Sequence, residues 1–135
     1  MTDEASLPAV TDDEWLARFV LYSKWIRADQ TLRPDAFIPH PYPDLSVTRH
    51  LGLLEPELWQ IGQVVADARP AELHGRADVK AHVVITQLLR IVPTATPKNH
   101  ANITGWSLDK PAQKIVAQEI AAVAEYKPNP SACGE

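Results

Sequence analysis

The sequence predicts an α+β fold, a single domain with a small mixed or mostly antiparallel sheet packed by about three helices. Its 135 residues, 45% of them hydrophobic, suffice for one buried core. Apolar residues alternate in some stretches and recur at helical spacing in others, without the regular strand–helix–strand order of a parallel sheet. We expect a flexible arm at residues 1–10, one globular domain at residues 11–127 and a flexible tail at residues 128–135.

The first element is predicted to be a helix over residues 12–27. Thr11 and Glu14 have the spacing of a helix capping box, and apolar residues follow at mostly helical spacing. The stretch also contains many aromatic and β-branched side chains, which favour strands. A strand therefore remains an alternative for residues 20–27.

The middle of the chain is predicted to contain an extended segment, a strand and a helix. Four prolines between residues 34 and 43 predict a polyproline-like segment laid across the surface. The sequence "LSVTRHL" alternates as a strand over residues 45–51. A helix follows over residues 55–68, with Pro56 in its first turn. Its predicted apolar stripe consists of Leu58, Ile61, Val65 and Ala68.

The second half is predicted to contain three strands and a last helix. The strands are expected at residues 73–80, 88–92 and 100–106, and residues 81–88 between the first two are open to helix or strand. An aspartate and a proline mark the start of a helix over residues 110–126. Its predicted apolar stripe consists of Ala112, Val116, Ile120 and Val123.

Composition and charge argue against several classes of partner and site. The net charge of −4 and the absence of a basic cluster argue against a nucleic-acid partner. No apolar run is long enough for a membrane span, and the acidic start lacks the pattern of a signal peptide. The single cysteine, Cys133, can form no internal disulfide, which favours a cytoplasmic location. Histidine spacing fits no metal motif, so we expect neither a metal nor a cofactor.

Arg49 interrupts an apolar strand face. Alternation places it beside Leu45 and Val47, on the side that should face the core. A buried guanidinium needs a carboxylate, a set of carbonyls or an anionic ligand. We favour a structural ion pair with an internal acid, and the alternative is that Arg49 binds an anion.

The late strand carries the other candidate site residues. His100, Asn102, Thr104 and Trp106 should share one face, opposite small or apolar residues. Directed hydrogen bonds and a stacking surface suit a small polar ligand. A packed polar face beneath the proline-rich segment is the favoured alternative. His50 and His100 are the candidate catalytic residues if the two strands pair.

Four stretches carry a resemblance: "AFIPHPYPDLSVTRHLGL", "GRADV", "NHANITGW" and "DKPAQKIVAQEIA". They resemble a loose group of small uncharacterised bacterial proteins with a proline-containing AF-x-P lead-in to an LSV strand and a late HA-x-I-x-G strand. The similarity extends over residues 18–125. It implies a bacterial, cytosolic, single-domain protein and implies nothing about catalysis.

Two functions follow as hypotheses. The first is a non-catalytic interaction or accessory module for a protein partner or for self-association, supported by four tryptophans and the proline-rich segment. The second is a small enzyme or binder for a nucleotide-like anionic ligand, acting through Arg49, His100 and Trp106. The sequence therefore leaves open whether the protein is an enzyme. A pocket shared by Arg49 and His100 would favour the second hypothesis.

Overall fold

The centre of the molecule is a six-stranded sheet. The computed structural model describes residues 7–39 and 41–130. The strands are β1 (Trp15–Val20), β2 (Leu45–Arg49), β3 (Gly75–Lys80), β4 (Arg90–Pro93), β5 (His100–Thr104) and β6 (Glu125–Pro128). They lie in the order β4-β5-β2-β1-β3-β6, and every neighbouring pair is antiparallel. The helices are α1 (Glu55–Ala68), α2 (Ala81–Thr86) and α3 (Lys110–Val123). The predicted α+β fold is confirmed.

Both faces of the sheet are covered by apolar side chains. On one face, α3 and a 3-10 turn at Pro34–Phe37 pack against buried side chains of β1, β2, β3 and β5. On the other face, α1 packs against Ala17 and Phe19 of β1. The central strand β1 is therefore buried from both sides.

The predicted helix over residues 12–27 is wrong. Residues Trp15–Val20 form β1, and only a 3-10 turn at Ser23–Trp25 follows. Burial from two sides explains the error, because a doubly covered strand has a near-continuous apolar run that resembles a buried helix. The predicted capping box is absent, since the Glu14 main-chain N–H donates to Thr11 O within a turn.

Most of the remaining elements lie where they were predicted. Helix α1 matches residues 55–68 at both ends, and the open passage at 81–88 contains α2. The predicted strands at 45–51, 73–80, 88–92 and 100–106 exist with shifted or shorter bounds. The proline-rich segment is wrong in part, because its first residues form a 3-10 turn and the Phe37 side chain is fully buried.

The last predicted helix is too long. It ends at Val123, and Glu125–Pro128 forms β6 at the sheet edge beside β3. The predicted stripe is wrong in part, because Ile120 is fully buried and Val116 packs against the core, but Val123 is 56% exposed. The residues of α3 that are buried are Gln113, Ala117, Ile120 and Ala121. Pro128 of the predicted tail belongs to β6, while the rest of that tail from residue 131, including Cys133, and residues 1–6 of the predicted arm lie outside the described residues.

Candidate functional site

Arg49 is bound by the protein's own chain. Its Nε and Nη2 donate to the two carboxylate oxygens of Glu14 at 2.5 and 2.9 Å. Its Nη1 donates to Pro8 O and its Nη2 to Ala9 O, at 2.8 and 3.3 Å. Both charged side chains are nearly inaccessible, at 4% and 6% exposure. The guanidinium therefore has an internal carboxylate partner and holds part of the predicted arm against the sheet.

Arg49 and His100 line one cavity of about 370 Å³, together with residues of the 94–99 loop. Within it, His100 Nδ1 lies 2.7 Å from Thr94 Oγ1. Burial lowers the pKa of His100, so the imidazole is neutral at neutral pH. Trp106 does not line this cavity. The guanidinium of Arg49 is already hydrogen-bonded to Glu14, Pro8 and Ala9. Few of its N–H donors are therefore available to an external anion in the shared cavity.

The late strand alternates as predicted up to Thr104 and not beyond. Ala101 and Ile103 are buried in the core, and Asn102 faces the opposite side. Gly105 then adopts a positive φ of 94°, which turns the chain. Trp106 consequently packs against the α3 side and donates from Nε1 to Ile103 O. The hydroxyl of Thr104 is buried without a hydrogen-bond partner among the described residues.

His50 belongs to a partly buried ionic network on the α1 side of the sheet. Its Nε2 lies 3.0 Å from Asp78 Oδ1, and Arg76 Nε lies 2.9 Å from the same oxygen. Arg76 also donates through both terminal nitrogens to the carboxylate of Glu55, at 3.0 and 2.8 Å. Burial would raise the pKa of Asp78, but the hydrogen bonds from His50 and Arg76 outweigh it and lower that pKa. Strands β2 and β5 do pair, yet His50 and His100 line different cavities.

The feature that sequence reasoning missed is a cleft of about 480 Å³ beside the start of β2, which we call the arginine cleft. Its charged lining includes Arg18 from the middle of β1 and Arg69 at the end of α1. Tyr22, Trp25 and Tyr42 supply aromatic rings. The remaining residues of its lining are Ile38, Pro39, Pro41, Pro43, Asp44, Leu45, Ser46 and Asn102.

The two guanidinium groups of the cleft lack carboxylate partners. Among the described residues, neither Arg18 nor Arg69 forms an ion pair. Arg18 donates to the carbonyl oxygens of Ala36 and Ser46 at 2.8 and 3.1 Å. Burial and the neighbouring positive charge of Arg69 lower the pKa of Arg18 to about 10. Two uncompensated cations therefore lie close together in a concave site.

The cleft continues into the sheet because β1 and β2 separate there. Their main-chain pairing consists of Leu16 with Arg49 and Ala17 with Thr48, and it stops before Arg18. The Arg18 side chain supplies a hydrogen bond to β2 where the main-chain ladder has ended. A smaller cavity of about 60 Å³ lies in this gap and reaches His100.

One sequence signal could have found Arg18. If residues 15–20 are taken as a strand, alternation places Arg18 between Leu16 and Val20 on the core face. This is the same reasoning that singled out Arg49. Because residues 12–27 were predicted to form a helix, this alternation was not recognised. No comparable pattern marks Arg69, which lies just after the last residue of α1.

A second concave surface, which we call the α1 groove, lies along the outer side of α1. It has a volume of about 430 Å³. Its apolar lining consists of Leu53, Ile61, Val64, Val65, Ala68 and Pro97. Glu57, Gln60 and Lys98 complete the lining.

Searches for other kinds of site and for relatives gave no match. In the described ranges, 7–39 and 41–130, no three histidine, cysteine or acidic side chains are placed to hold a metal ion. No helix in that part of the chain has the length and apolar character needed to cross a membrane. No protein family, curated protein or solved structure matches this chain.

Proposed function

We propose that the protein is a non-catalytic interaction module that binds a protein partner through the α1 groove. The observation that carries this proposal is the orientation of α1. The side chains that it buries against the sheet are those of Leu58 and Ala66, with Gly62 between them. Val64 lies on the open groove, and Ile61, which packs in part against the core, also lines it.

Gly62 explains this orientation. A Cβ at this position would lie 2.5 Å from Cε1 of Phe19, so only glycine permits α1 to approach β1 this closely. The close approach places Gly62 and Ala66 against the sheet beside Leu58, and Val64 on another side of α1 is 67% exposed. The stripe predicted from sequence for the core therefore lies only in part against it, and Ala68 is exposed.

The groove suits an apolar helix or strand from a partner protein. Aliphatic side chains at positions 61, 64, 65 and 68 form one continuous stripe at helical spacing. Exposed apolar surface of this kind, rimmed by polar residues such as Glu57 and Lys98, is typical of protein-binding sites. A cytoplasmic location is part of the proposal, because one cysteine in 135 residues suits a reducing compartment.

Val64→Glu tests the proposal, with Val123→Glu as the matched control. Both valines are exposed on helices, at 67% and 56%, but Val123 does not line the groove. Burying a valine contributes about 1.5–3 kcal/mol, so a buried glutamate should weaken the partner's binding by about tenfold or more. We would compare the proteins captured from native lysate by the wild type and by each variant, using quantitative mass spectrometry.

We expect Val64→Glu to lose a captured protein that the wild type and Val123→Glu both retain. Light scattering after size exclusion identifies the case in which the partner is a second copy, since Val64→Glu would then dissociate a dimer. Equal capture and equal mass for all three proteins would contradict the proposal.

A further inference from the structure

The arginine cleft has the chemistry of an anion site. Arg18 and Arg69 direct two guanidinium groups to its lining without a carboxylate to neutralise either one among the described residues. Guanidinium groups match the oxygen geometry of phosphate and carboxylate through paired N–H donors. The chain has a net charge of −4, so this local excess of positive charge does not reflect a basic protein.

The cleft also has surfaces for a planar ring. Tyr22 and Trp25 meet edge to face with ring centroids 4.9 Å apart. Tyr42 lies on the cleft with 60% of its surface exposed. Prolines form much of the same wall and restrict its backbone. The volume of about 480 Å³ lies in the range of small-molecule sites.

The net charge of the two guanidinium groups indicates the charge of the ligand that the cleft would bind. Two guanidinium groups carry two positive charges, which a phosphate monoester with about −1.5 to −2 charges at neutral pH would balance. Asp44 lies in the lining, outside ion-pairing distance of both arginines, and works against an anion. Ser46 and Asn102 add neutral polar groups beside the arginines.

We propose that the arginine cleft binds a phosphate monoester carrying a planar ring, a ligand of the nucleoside monophosphate class. Arg18 and Arg69 hold the phosphate, and the aromatic wall takes the ring. This site is separate from the α1 groove, and neither proposal depends on the other. It also differs from the anion site expected from sequence, because Arg49 and Trp106 lie outside it.

The lowered pKa of Arg18 supports the assignment. Burial and, to a smaller extent, repulsion by Arg69 disfavour the charged form of this side chain. A bound dianion would offset both effects by placing negative charge beside the two guanidinium groups. Arrangements that destabilise the empty protein and stabilise the bound one are typical of functional sites.

Isothermal titration calorimetry with adenosine 5′-monophosphate, adenosine and inorganic phosphate tests the proposal. Arg69→Met is the principal variant, because Arg69 is exposed and forms no hydrogen bond through its side chain among the described residues. Arg90→Met is the matched control, since Arg90 is also exposed and lies outside the cleft. Asp44→Asn removes the opposing charge.

We expect the wild type to bind the monophosphate at least about tenfold more tightly than either adenosine or phosphate. Arg69→Met should lose about tenfold or more in affinity, Arg90→Met should lose nothing, and Asp44→Asn should bind more tightly. Absence of binding at about 5 mM monophosphate would overturn the proposal, as would equal losses in the two arginine variants. Adenosine binding as tightly as the monophosphate would overturn the phosphate site, and phosphate binding as tightly would overturn the ring site.

Discussion

Arg49 and Arg76 each lie against carboxylates, whereas Arg18 and Arg69 lie near each other. The first two are almost inaccessible and form bidentate ion pairs with Glu14 and Glu55. The second two line an open cleft, where their contacts among the described residues are with carbonyl oxygens and aromatic rings. Arginine therefore has two roles in this protein. An arginine that is neutralised by an internal carboxylate stabilises the fold, whereas an arginine without a counter-ion is available to a ligand.

Of the substitutions at Arg49 and Arg76, Arg76→Met should lower the unfolding free energy the most. The substitution leaves the Asp78 carboxylate, whose side chain is 3% exposed, without its guanidinium partner. It also removes the ion-pair partner of Glu55. Breaking a buried pair of this kind costs about 3–5 kcal/mol of unfolding free energy. Urea denaturation measures the loss. The variant Arg76→Met/Asp78→Asn should recover part of it, and a loss below about 1 kcal/mol would mean that Arg76 is not structural.

Arg49→Met should destabilise the protein somewhat less. The substitution leaves one buried carboxylate, that of Glu14, and releases the carbonyl groups of Pro8 and Ala9. We expect a loss of about 2–4 kcal/mol, because each unpaired buried group contributes its own desolvation penalty. Adding Glu14→Gln should restore part of the stability. An Arg49→Met variant as stable as the wild type would show that the ion pair of Arg49 with Glu14 does not stabilise the fold.

The sequence predicted the fold class and most element positions, because α1, β2 and β5 have clear periodicity and turn residues on both sides. It failed at β1 because a strand covered on both faces has no polar side to reveal its period. The pairing of Arg49 with an acid followed from charge burial alone, but the identity of Glu14 depends on the tertiary fold. Trp106 left the predicted face because Gly105 adopts a positive φ.

The arginine cleft could not be predicted, because it joins segments distant in sequence. Arg18, Arg69 and Tyr42 meet only after β1 lies beside β2 and α1 crosses the sheet. The α1 groove could not be predicted from the sequence for a different reason. Helical spacing identifies an apolar stripe on α1 but does not show that Gly62 contacts Phe19 and that Val64 is left exposed.

The most direct test of the comparison is the unfolding free energy of the wild type and Arg69→Met, each measured by urea denaturation with and without adenosine 5′-monophosphate. Without the ligand, Arg69→Met should differ from the wild type by less than about 1 kcal/mol, because the substitution removes both the repulsion of Arg18 and the contact of the exposed Arg69 with the Tyr42 ring. With ligand at about 100 times its dissociation constant, the wild type should gain about 2.7 kcal/mol and the variant much less. A variant that gains as much from the ligand as the wild type, or a wild type that gains nothing, would contradict the assignment of these arginines to ligand binding.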